Sequence, residues 1–383
     1  MAGTRRAVVL GGGAGGLPAA NRLGRAAEAG ADLEVVLVDR SPEHVYAPGF
    51  VAVMFGEAEP EAFRRPLAEL LHPAVRLVPG EATSLDPAGH RVLGSFGELP
   101  YDDLVLALGA EVGWPLEPPP CGELAPWTPA GARAGAEELR RLGPQDRVVI
   151  GPTGPGYRCP PAVLDLAVRV RAVTGAHVAV VHPWPRPLAP FGEGPAAVAT
   201  RLLDDAGVGF HGGFELTEVQ PDVVVSTAGD EVPYDVAMIV PPHRAPALVA
   251  GSPLAGPNGW PAVAFPTLTV PGHDDVSVVG DLASPALKVG MAGTLAVHEA
   301  AFVADRIAAR AGGPAARPRP VMSAICFLDT GTTGAFLQCD FTGPASGTGP
   351  AACTLMPWMP WFRAAKRVFA EEWFATTLRG TVG

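Results

Sequence analysis

The chain has 383 residues, of which 48% are hydrophobic and 17% charged, so it can bury large cores and is too apolar to be disordered. Its net charge of -11 argues against binding to nucleic acid, which requires a basic patch. Apolar runs stay shorter than the roughly 18 residues that a membrane-spanning helix needs, and the first predicted strand begins at Arg5, which leaves no room for a signal peptide.

The five cysteines include no C-x-x-C pair, which excludes the usual zinc spacings and covalent haem attachment. Because their number is odd and no secretion signal is predicted, we expect free or catalytic thiols rather than a set of structural disulfides. We therefore predict no metal site.

A glycine-rich loop follows the first predicted strand, residues 5–10. Glycines at Gly11, Gly13 and Gly16 give the pattern G-x-G-x-x-G, and a helix is predicted to follow. The first glycine allows a tight turn, the second lets a pyrophosphate approach the backbone, and the third lets helix and strand pack closely. The pattern predicts a dinucleotide site at the N-terminus of this helix rather than a plain glycine-rich turn.

The next predicted strand, residues 33–38, supports this site because it ends on an acid. Asp39, which lies 23 residues after the last glycine, is in position to accept hydrogen bonds from the adenosine ribose. We assign Arg40 to the same site. A further strand, residues 101–108, ends in a small-residue turn at Gly109, which we also place at the cofactor.

A second strand–loop–helix unit surrounds residues 151–162, but its glycines break the dinucleotide spacing. They fall at Gly151, Gly154 and Gly156, and Cys159 occupies the start of the following helix. A cysteine therefore stands where a second pyrophosphate cradle would be expected, which favours sulfur chemistry over a nicotinamide as the electron source.

Two features at this cysteine favour a thiolate. A helix N-terminus and the adjacent Arg158 would both lower the pKa of Cys159, and the thiolate is the nucleophilic form. The alternative is a small buried hydrophobic side chain, which is a common role of cysteine.

Near residue 280 the chain repeats the pattern of a strand that ends in a glycine turn. Residues 274–279 are the strand, Gly280 and Asp281 form the turn, and a helix is predicted over 290–310. Together with the N-terminal glycines, this resembles the FAD-binding signature of two-dinucleotide-domain flavoproteins. The resemblance implies that Asp281 contacts the flavin ribityl chain and that the helix N-terminus faces the flavin pyrimidine.

The predicted fold is α/β, with two Rossmann-like domains of the FAD/NAD(P)-binding, disulfide-reductase type and a C-terminal segment that contains an amphipathic helix. The FAD-binding domain is predicted to be split by the second domain. The predicted segments are 1–110 (FAD-binding domain, first part), 111–244 (second Rossmann-like domain), 245–312 (FAD-binding domain, second part) and 313–383 (C-terminal segment).

Two cysteine motifs make the resemblance more specific. Residues 157–162 (YRCPPA) and 325–331 (ICFLDTG) resemble the active-site motifs of the sulfide:quinone oxidoreductase family, of which flavocytochrome c sulfide dehydrogenase is a near relative. Other matching segments run nearly the length of the chain: 241–243, 258–260, 278–281 and 334–341.

That resemblance implies a sulfide-oxidising flavoprotein that reduces a membrane quinone. Cys159 and Cys326 match the two redox cysteines that face each other across the flavin and carry the growing sulfur chain. Cys121 lies where some members have a third cysteine, and a spectator cysteine is the alternative. Residues 40–58 contain no cysteine that could attach the flavin, so we expect FAD to be bound non-covalently.

Three further site assignments rest on the resemblance. Asp165, six residues after Cys159, matches an acidic residue that acts as a base, although a surface carboxylate is the alternative. Lys288 matches a lysine near the flavin and the quinone pocket; the alternative is that it is a solvated lysine in a loop. Three histidines are candidate proton carriers, although a structural role is the default for each: His182, His243 and His298.

The last predicted helix carries an apolar stripe with basic residues beside it. Phe362, Ala365, Phe369 and Trp373 share one face, as an interfacial helix in the lipid headgroup layer requires. The alternative is a helix that docks on the protein's own core. The family's membrane-docking helices favour a peripheral membrane protein, on the cytoplasmic face because no signal peptide is predicted.

An apolar route should connect the lipid to the flavin, and we assign Phe327, Phe336 and Phe341 to it. Three rival functions stay open: a sulfide dehydrogenase that reduces a c-type cytochrome, an NADH:quinone reductase, and a non-catalytic flavin-binding protein. The sequence also leaves open whether the chain forms a homo-oligomer.

Overall fold

Two sheets, one mostly and one wholly parallel, form the frame of the computed structural model, which describes residues 3–114 and 119–381. The outer limits of the predicted segments 1–110 and 313–383, and part of segment 111–244, lie outside those residues. Helices pack on both sheets, and a third, antiparallel sheet is added by the C-terminal segment. The predicted α/β class with two Rossmann-type units and a C-terminal helix is confirmed.

The first sheet is built around the strand Arg5–Leu10, which pairs in parallel with a neighbour on each side. Its side chains are buried at both faces over Ala7 to Leu10, as a strand covered by helices on both sides requires. Strands from distant parts of the chain meet here, in the order Thr269–Val270, His273–Val278, Asp103–Leu106, Arg5–Leu10, Leu33–Asp39 and Val75–Pro79.

The second sheet is smaller and wholly parallel. Its central strand, Arg147–Pro152, ends at the loop that carries Cys159, and the helix Ala162–Thr174 follows that loop. The carboxyl end of this strand therefore faces the site, as is usual in parallel sheets. The order across the sheet is Gly209–Gly212, His177–His182, Arg147–Pro152 and Val236–Val240.

Shorter elements complete the two units. The remaining strands form small antiparallel sheets: Glu43–Val45 with Arg64–Pro66; Ala82–Asp86, Arg91–Gly94 and Gly97–Pro100; Glu111–Val112 with His243–Arg244; and Leu216–Val219, Val223–Ser226 and Glu231–Pro233. The α-helices before the C-terminal segment are Gly16–Glu28, Phe50–Met54, Leu67–Leu70, Pro129–Leu139, Ala162–Thr174, Glu193–Ala206, Ala247–Ala250, Ser284–Leu287 and Gly293–Arg310.

The C-terminal segment is a three-stranded antiparallel sheet followed by a long helix. The strands are Ser323–Asp329, Gly334–Asp340 and Ala352–Met359, and the C-terminal helix is Pro360–Ala375. A short helix, Thr342–Ser346, connects the second and third strands.

The structure changes the interpretation of the apolar stripe on the C-terminal helix. Phe362 and Trp373 are buried, and Phe369 packs against the core, so the stripe faces the protein and its assignment to lipid is wrong. A separate group of apolar side chains is exposed in this segment: Met356, Met359, Trp361 and Val368. Within residues 3–114 and 119–381, no helix is long and apolar enough to cross a membrane.

The C-terminal sheet also contains a disulfide bond, between Cys339 and Cys353. These residues lie directly opposite each other on the second and third strands. The expectation of free thiols is therefore wrong for this pair, because the register of two distant strands brings together cysteines that have no pairing signal in the sequence. Cys121, Cys159 and Cys326 are free.

Candidate functional site

A single large cavity of about 1440 Å³ runs from the N-terminal glycine loop to Cys159 and Cys326. Its wall comes from the first sheet, from the loop before the helix Ala162–Thr174, and from the C-terminal segment. The volume exceeds the roughly 300–1,000 Å³ of common small-molecule pockets, which suits an extended dinucleotide with space for a second reactant.

The glycine loop has the shape that a bound pyrophosphate needs. A Cβ atom on Gly16 would lie 1.7 Å from the carbonyl oxygen of Gly11, so only glycine fits where helix and strand meet. Gly11 has a φ of +100°, which permits the turn. A Cβ on Gly13 would meet no atom within 4 Å, so the backbone is open toward the cavity at this position. The three glycines thus fit the separate roles that the fingerprint predicts.

The acidic end of the second strand lies beside this loop. Asp39 accepts a hydrogen bond from the backbone N–H of Gly12 at 2.5 Å and another from Ser41 at 2.7 Å. Arg40 also lines the cavity, where it forms an exposed ion pair with Glu81 at 3.1 Å. Both residues therefore lie beside the glycine loop in the cavity wall.

The second predicted cofactor turn faces the same cavity. Asp281 Oδ2 lies 2.5 Å from Arg158 Nε, and Arg158 also donates to the carbonyl oxygen of Ala110 at 2.8 Å. Gly109 and Gly280 flank this ion pair in the cavity wall. The guanidinium is therefore engaged by the cofactor turns, and the expectation that Arg158 stabilises the thiolate of its neighbour is wrong.

No pattern in the sequence predicts that Glu299 supports this turn. Glu299 is fully buried on the helix Gly293–Arg310, and its Oε2 atom accepts a hydrogen bond from the N–H of Gly280 at 2.6 Å. Burial raises the pKa of Glu299 to about 8. At neutral pH the protonated side chain stabilises the turn from the side that faces away from the cavity.

The structure brings Cys159 and Cys326 together. Their Sγ atoms are 3.6 Å apart, although the residues are 167 positions apart in the chain. Cys159 has a φ of +50°, and its N–H donates to the carbonyl oxygen of Met291 at 3.1 Å. A non-glycine residue in this region costs on the order of 1–3 kcal/mol and persists where the surroundings impose it, as they commonly do at active sites.

The two thiols have unequal acidity. A hydrogen bond from Cys326 lowers the pKa of Cys159 against the opposing effect of burial, and the N–H of Ala162 at the start of the helix adds to the lowering. The same hydrogen bond and burial raise the pKa of Cys326. Cys159 is therefore the more acidic thiol of the pair, and the helix start contributes to that acidity.

A buried acid and a lysine lie beside the thiols. Asp165 Oδ2 is 3.4 Å from Lys366 Nζ, and both side chains line the cavity. Burial raises the pKa of Asp165 to about 7, although Lys366 opposes the shift. Burial works against a charge on Lys366, but Asp165 and Asp329 raise its pKa. The pair can therefore hold or release a proton near neutral pH.

The sequence shows Lys366 as one of the basic residues beside the predicted apolar stripe, and it is not among the predicted site residues. Its spacing contained a signal, since positions 362, 366, 369 and 373 follow the 4-3-4 spacing of a buried helix face. A lysine in the middle of such a face indicates a buried charge with a partner. The partner itself, Asp165, could not be identified from the spacing.

An ion-pair network holds this corner of the cavity. Arg169 lies 2.8 Å from Glu57 and 3.9 Å from Asp329, and its guanidinium is almost fully buried. Arg363 of the C-terminal helix binds the same two acids, at 2.7 Å and 3.3 Å. The network fixes the C-terminal helix, and with it Lys366, against the strand that carries Cys326.

Two predicted site residues are not brought to the thiols. Cys121 packs near Val149 and Val181 in a separate apolar cluster, outside the cavity wall, and burial raises its pKa to about 11. Lys288 is exposed at the end of the helix Ser284–Leu287, also outside that wall. Neither position supports contact with the reacting sulfurs.

The three predicted histidines also lie outside the cavity wall. His182 is buried and bonded to the hydroxyl of Tyr157 at 2.9 Å, while His243 accepts from the N–H of Arg158 at 3.2 Å. Burial lowers the pKa of both, to about 3 and about 4, so they are neutral structural groups. Burial also lowers the pKa of His298.

A fourth histidine does line the cavity and was not predicted. His44 Nδ1 is 2.9 Å from the carbonyl oxygen of Gly12, and its Nε2 accepts from the indole N–H of Trp373 at 3.1 Å. Burial lowers the pKa of His44, which keeps the ring neutral. It links the glycine loop to the C-terminal helix, a contact that tertiary packing alone creates.

The end of the cavity near the C-terminal helix is aromatic. Phe327, Phe369 and Trp373 line it, with successive ring centroids 5.6 and 6.0 Å apart, and Phe336 stands behind Phe327 at 5.1 Å. Phe341 also lines the cavity, but its ring packs against Phe191. This end could accept a flat apolar molecule beside the two thiols.

Comparison with known proteins places the chain in a family. Residues 5–300 match the family of pyridine nucleotide-disulphide oxidoreductases. The type II NADH:quinone oxidoreductase Ndh of Mycobacterium tuberculosis is 26% identical over 345 residues, which cover 80% of this chain and 73% of that protein.

Solved structures show the same fold over nearly the whole chain. The sulfide:quinone oxidoreductase of the hyperthermophilic bacterium Aquifex aeolicus matches with a TM-score of 0.84 at 23% identity, over 98% of this chain and 92% of that one. NDH2 of Plasmodium falciparum, in complex with NADH, matches with a TM-score of 0.70 at 9% identity, over 98% and 96%. The resemblance to sulfide:quinone oxidoreductases is thus confirmed at the level of the fold. The chain belongs to the pyridine nucleotide-disulphide oxidoreductase family and is an oxidoreductase.

Proposed function

We propose that this enzyme uses FAD to oxidise sulfide to sulfane sulfur and passes the electrons to a membrane quinone. The observation that carries the proposal is the position of Cys159 and Cys326, whose sulfurs lie 3.6 Å apart in the same cavity as the dinucleotide loop. Two thiols at this separation need only a small movement to form a disulfide or to enclose one additional sulfur atom.

The residues of the cavity fit a non-covalently bound FAD. Gly13 leaves space that a pyrophosphate would fill, Asp39 lies beside the glycine loop where a ribose would bind, and Asp281 lies in the turn after the strand His273–Val278. When bound, FAD would supply a two-electron acceptor beside the thiols. The N-terminus of the helix Gly293–Arg310 reaches the cavity at Gly293 and Thr294, where its dipole favours negative charge.

The unequal acidity of the cysteines suggests the direction of attack. Hydrosulfide attacks the sulfur of Cys326 in the oxidised Cys159–Cys326 disulfide, the S–S bond breaks, and Cys159 leaves as the thiolate. A persulfide then remains on Cys326, and the two electrons of the broken bond reside on Cys159. The thiol with the lower pKa is the better leaving group, which favours this direction over the reverse.

Asp165 and Lys366 manage the proton and the charge in this step. A carboxyl group with a pKa of about 7 can take the proton of an incoming hydrogen sulfide molecule at neutral pH. Lys366 stabilises both the carboxylate and the neighbouring thiolates by its positive charge. Asp165 is thus our proposed base, and Lys366, 3.4 Å away, is its charged partner.

The quinone enters the cavity at its aromatic end, and the membrane contacts the protein nearby. Phe327 and Trp373 offer an apolar surface, and exposed Trp361 and Val368 lie on the same C-terminal segment. We place the lipid contact at these exposed side chains, because the original stripe is buried. A monotopic contact of this kind needs no spanning helix.

An NADH:quinone reductase is the second candidate, favoured by the sequence relatives from Mycobacterium tuberculosis. Against it, the second strand–loop–helix unit places Cys159 and Pro160 in the cavity wall where a second nucleotide loop would lie.

Steady-state reduction of a short-chain quinone by the FAD-loaded protein tests the choice between the two functions, with sulfide or NADH as electron donor. Turnover with sulfide supports the proposal, while turnover with NADH alone supports the second candidate.

A further inference from the structure

The disulfide bond between Cys339 and Cys353, called the hairpin disulfide below, shares a wall with the candidate redox pair. Cys339 lines the same cavity as Cys326, and Cys353 lies one strand farther out. The apolar core explains the burial of Cys339 but not why a cleavable bond faces the reacting thiols.

Strand register defines the relation between these cysteines. Cys326 pairs with Leu337, and Cys339 stands two residues along the same strand as Leu337. Residues two apart on a strand share a face, so Cys326 and Cys339 are diagonal neighbours on the face toward the cavity. Such neighbours lie about 7–8 Å apart, with the Cβ atoms somewhat closer.

We propose that the hairpin disulfide is a second redox couple, in thiol–disulfide exchange with Cys326. The inference rests on the reactivity of the Cys159–Cys326 pair that the proposed function assumes, and goes beyond it by giving the site four redox-active cysteines. It would let the site hold a second pair of electrons.

The exchange is balanced in two steps. Cys326 first passes its proton to Cys159, whose sulfur lies 3.6 Å away, and then attacks Cys339. A Cys326–Cys339 bond forms, the Cys339–Cys353 bond breaks, and Cys353 leaves as a thiolate. Cys159 then loses that proton to the Cys353 thiolate and attacks Cys326, which forms the Cys159–Cys326 bond and releases Cys339 as a thiolate. No electrons are gained or lost, because one disulfide has moved from the hairpin to the candidate pair.

The geometry makes the mixed disulfide a transient species. A relaxed disulfide spans roughly 4.4–6.8 Å between Cα atoms, slightly less than the diagonal distance of two strands. Strain therefore favours its cleavage by Cys159, whose sulfur already lies 3.6 Å from that of Cys326. Cys353 stands a further strand away, so Cys339 is the sulfur within reach.

Reduction of the hairpin disulfide by dithiothreitol tests the proposal in the full-length protein. The wild type and the variant Cys326→Ser are incubated anaerobically, quenched with acid, alkylated and peptide-mapped over time. We expect Cys339–Cys353 to be reduced at least about tenfold more slowly in Cys326→Ser, because the reductant must then reach directly a bond between a buried Cys339 and a half-buried Cys353. The matched control is Cys121→Ser, which removes a thiol outside the cavity and should keep the wild-type rate.

Equal rates in the wild type and Cys326→Ser, or a hairpin disulfide that resists reduction in both, would overturn the proposal. If Cys326→Ser does not fold, Cys159→Ser gives the answer, because it lacks the thiol that resolves the mixed disulfide. We expect it to accumulate a Cys326–Cys339 peptide with Cys353 alkylated, and absence of that peptide counts against exchange. The readout needs neither sulfide nor quinone, so failure of sulfide turnover alone would overturn only the proposed function.

Discussion

Lys366 Nζ lies 3.4 Å from Asp165 Oδ2, although 201 positions separate the two residues. The lysine belongs to the C-terminal helix and the acid to the second Rossmann-like unit, so the contact closes the cavity between two distant parts of the chain. Among the described residues, Asp165 Oδ1 is buried without a hydrogen-bond partner. A carboxyl group in this state is suited to exchanging a proton.

The pH dependence of sulfide oxidation should follow the protonation of Asp165. The carboxylate is the basic form, so the rate should rise through the pKa of about 7 as pH increases. Asp165→Asn should lose this limb and lower the rate by about 10²–10⁴-fold, the usual contribution of a general base. Steady-state rates from pH 5.5 to 8.5, in buffers of constant ionic strength, provide the measurement.

Lys366→Met is the companion variant for this profile. Loss of the positive charge should raise the pKa of Asp165 further, so the rising limb should shift to higher pH rather than disappear. If both variants retain the wild-type profile, the limb belongs to another group and the assignment of the base fails.

The same carboxyl group should affect stability. Its pKa is raised on folding from an ordinary 3.8 to about 7, so between these values the folded state holds a proton that the unfolded state has released. Wild-type stability should therefore fall, relative to Asp165→Asn, as pH rises through this window, by at most about 4 kcal/mol. Chemical denaturation of both proteins at pH 4.5 and pH 7.5 measures the difference, and a pH-independent gap would show that Asp165 is ionised in the folded protein.

Two glycines in one loop should fail for different reasons. Gly16→Ala puts a Cβ 1.7 Å from a backbone oxygen and should destabilise the cofactor-free protein by at least about 1–3 kcal/mol. Gly13→Ala points into open space, so the cofactor-free protein should melt normally while its FAD content falls. Thermal melts of the apoprotein and flavin absorbance of the purified protein separate the two effects. Normal FAD content in Gly13→Ala would argue against a pyrophosphate at this loop.

Local patterns in the sequence were sufficient for the frame of the fold. The strand at residues 5–10, its glycine loop and Asp39 are contiguous, and the steric needs of a tight turn define their roles. The broken glycine spacing of residues 151–162 and the helix start indicate a reactive Cys159, whereas its partner Cys326 is assigned only through the family resemblance. His44, Glu299 and Lys366 could not be placed, because their partners are created when the C-terminal helix and the two sheets dock. The hairpin disulfide was missed for the same reason, since only strand register sets Cys339 opposite Cys353.

Membrane binding should depend on exposed side chains of the C-terminal segment. The double substitution Trp361→Gln and Val368→Gln removes two side chains that are 58% and 57% exposed, and should greatly reduce flotation with vesicles of mixed neutral and anionic phospholipid. Val173→Gln is the matched control, because Val173 is 63% exposed but lies outside that segment. Equal flotation of all three proteins would place the lipid contact elsewhere or exclude it.

The central claim is that electrons enter through the sulfurs of Cys159 and Cys326, and flavin absorbance measures this most directly. The FAD-loaded wild type and Cys159→Ser are mixed anaerobically with sulfide, and separately with NADH, while the oxidised flavin band is followed. We predict that sulfide bleaches the wild type, that Cys159→Ser retains its FAD but is no longer bleached by sulfide, and that NADH bleaches neither. Bleaching of the wild type by NADH but not by sulfide, or unchanged sulfide reduction in Cys159→Ser, would contradict the account.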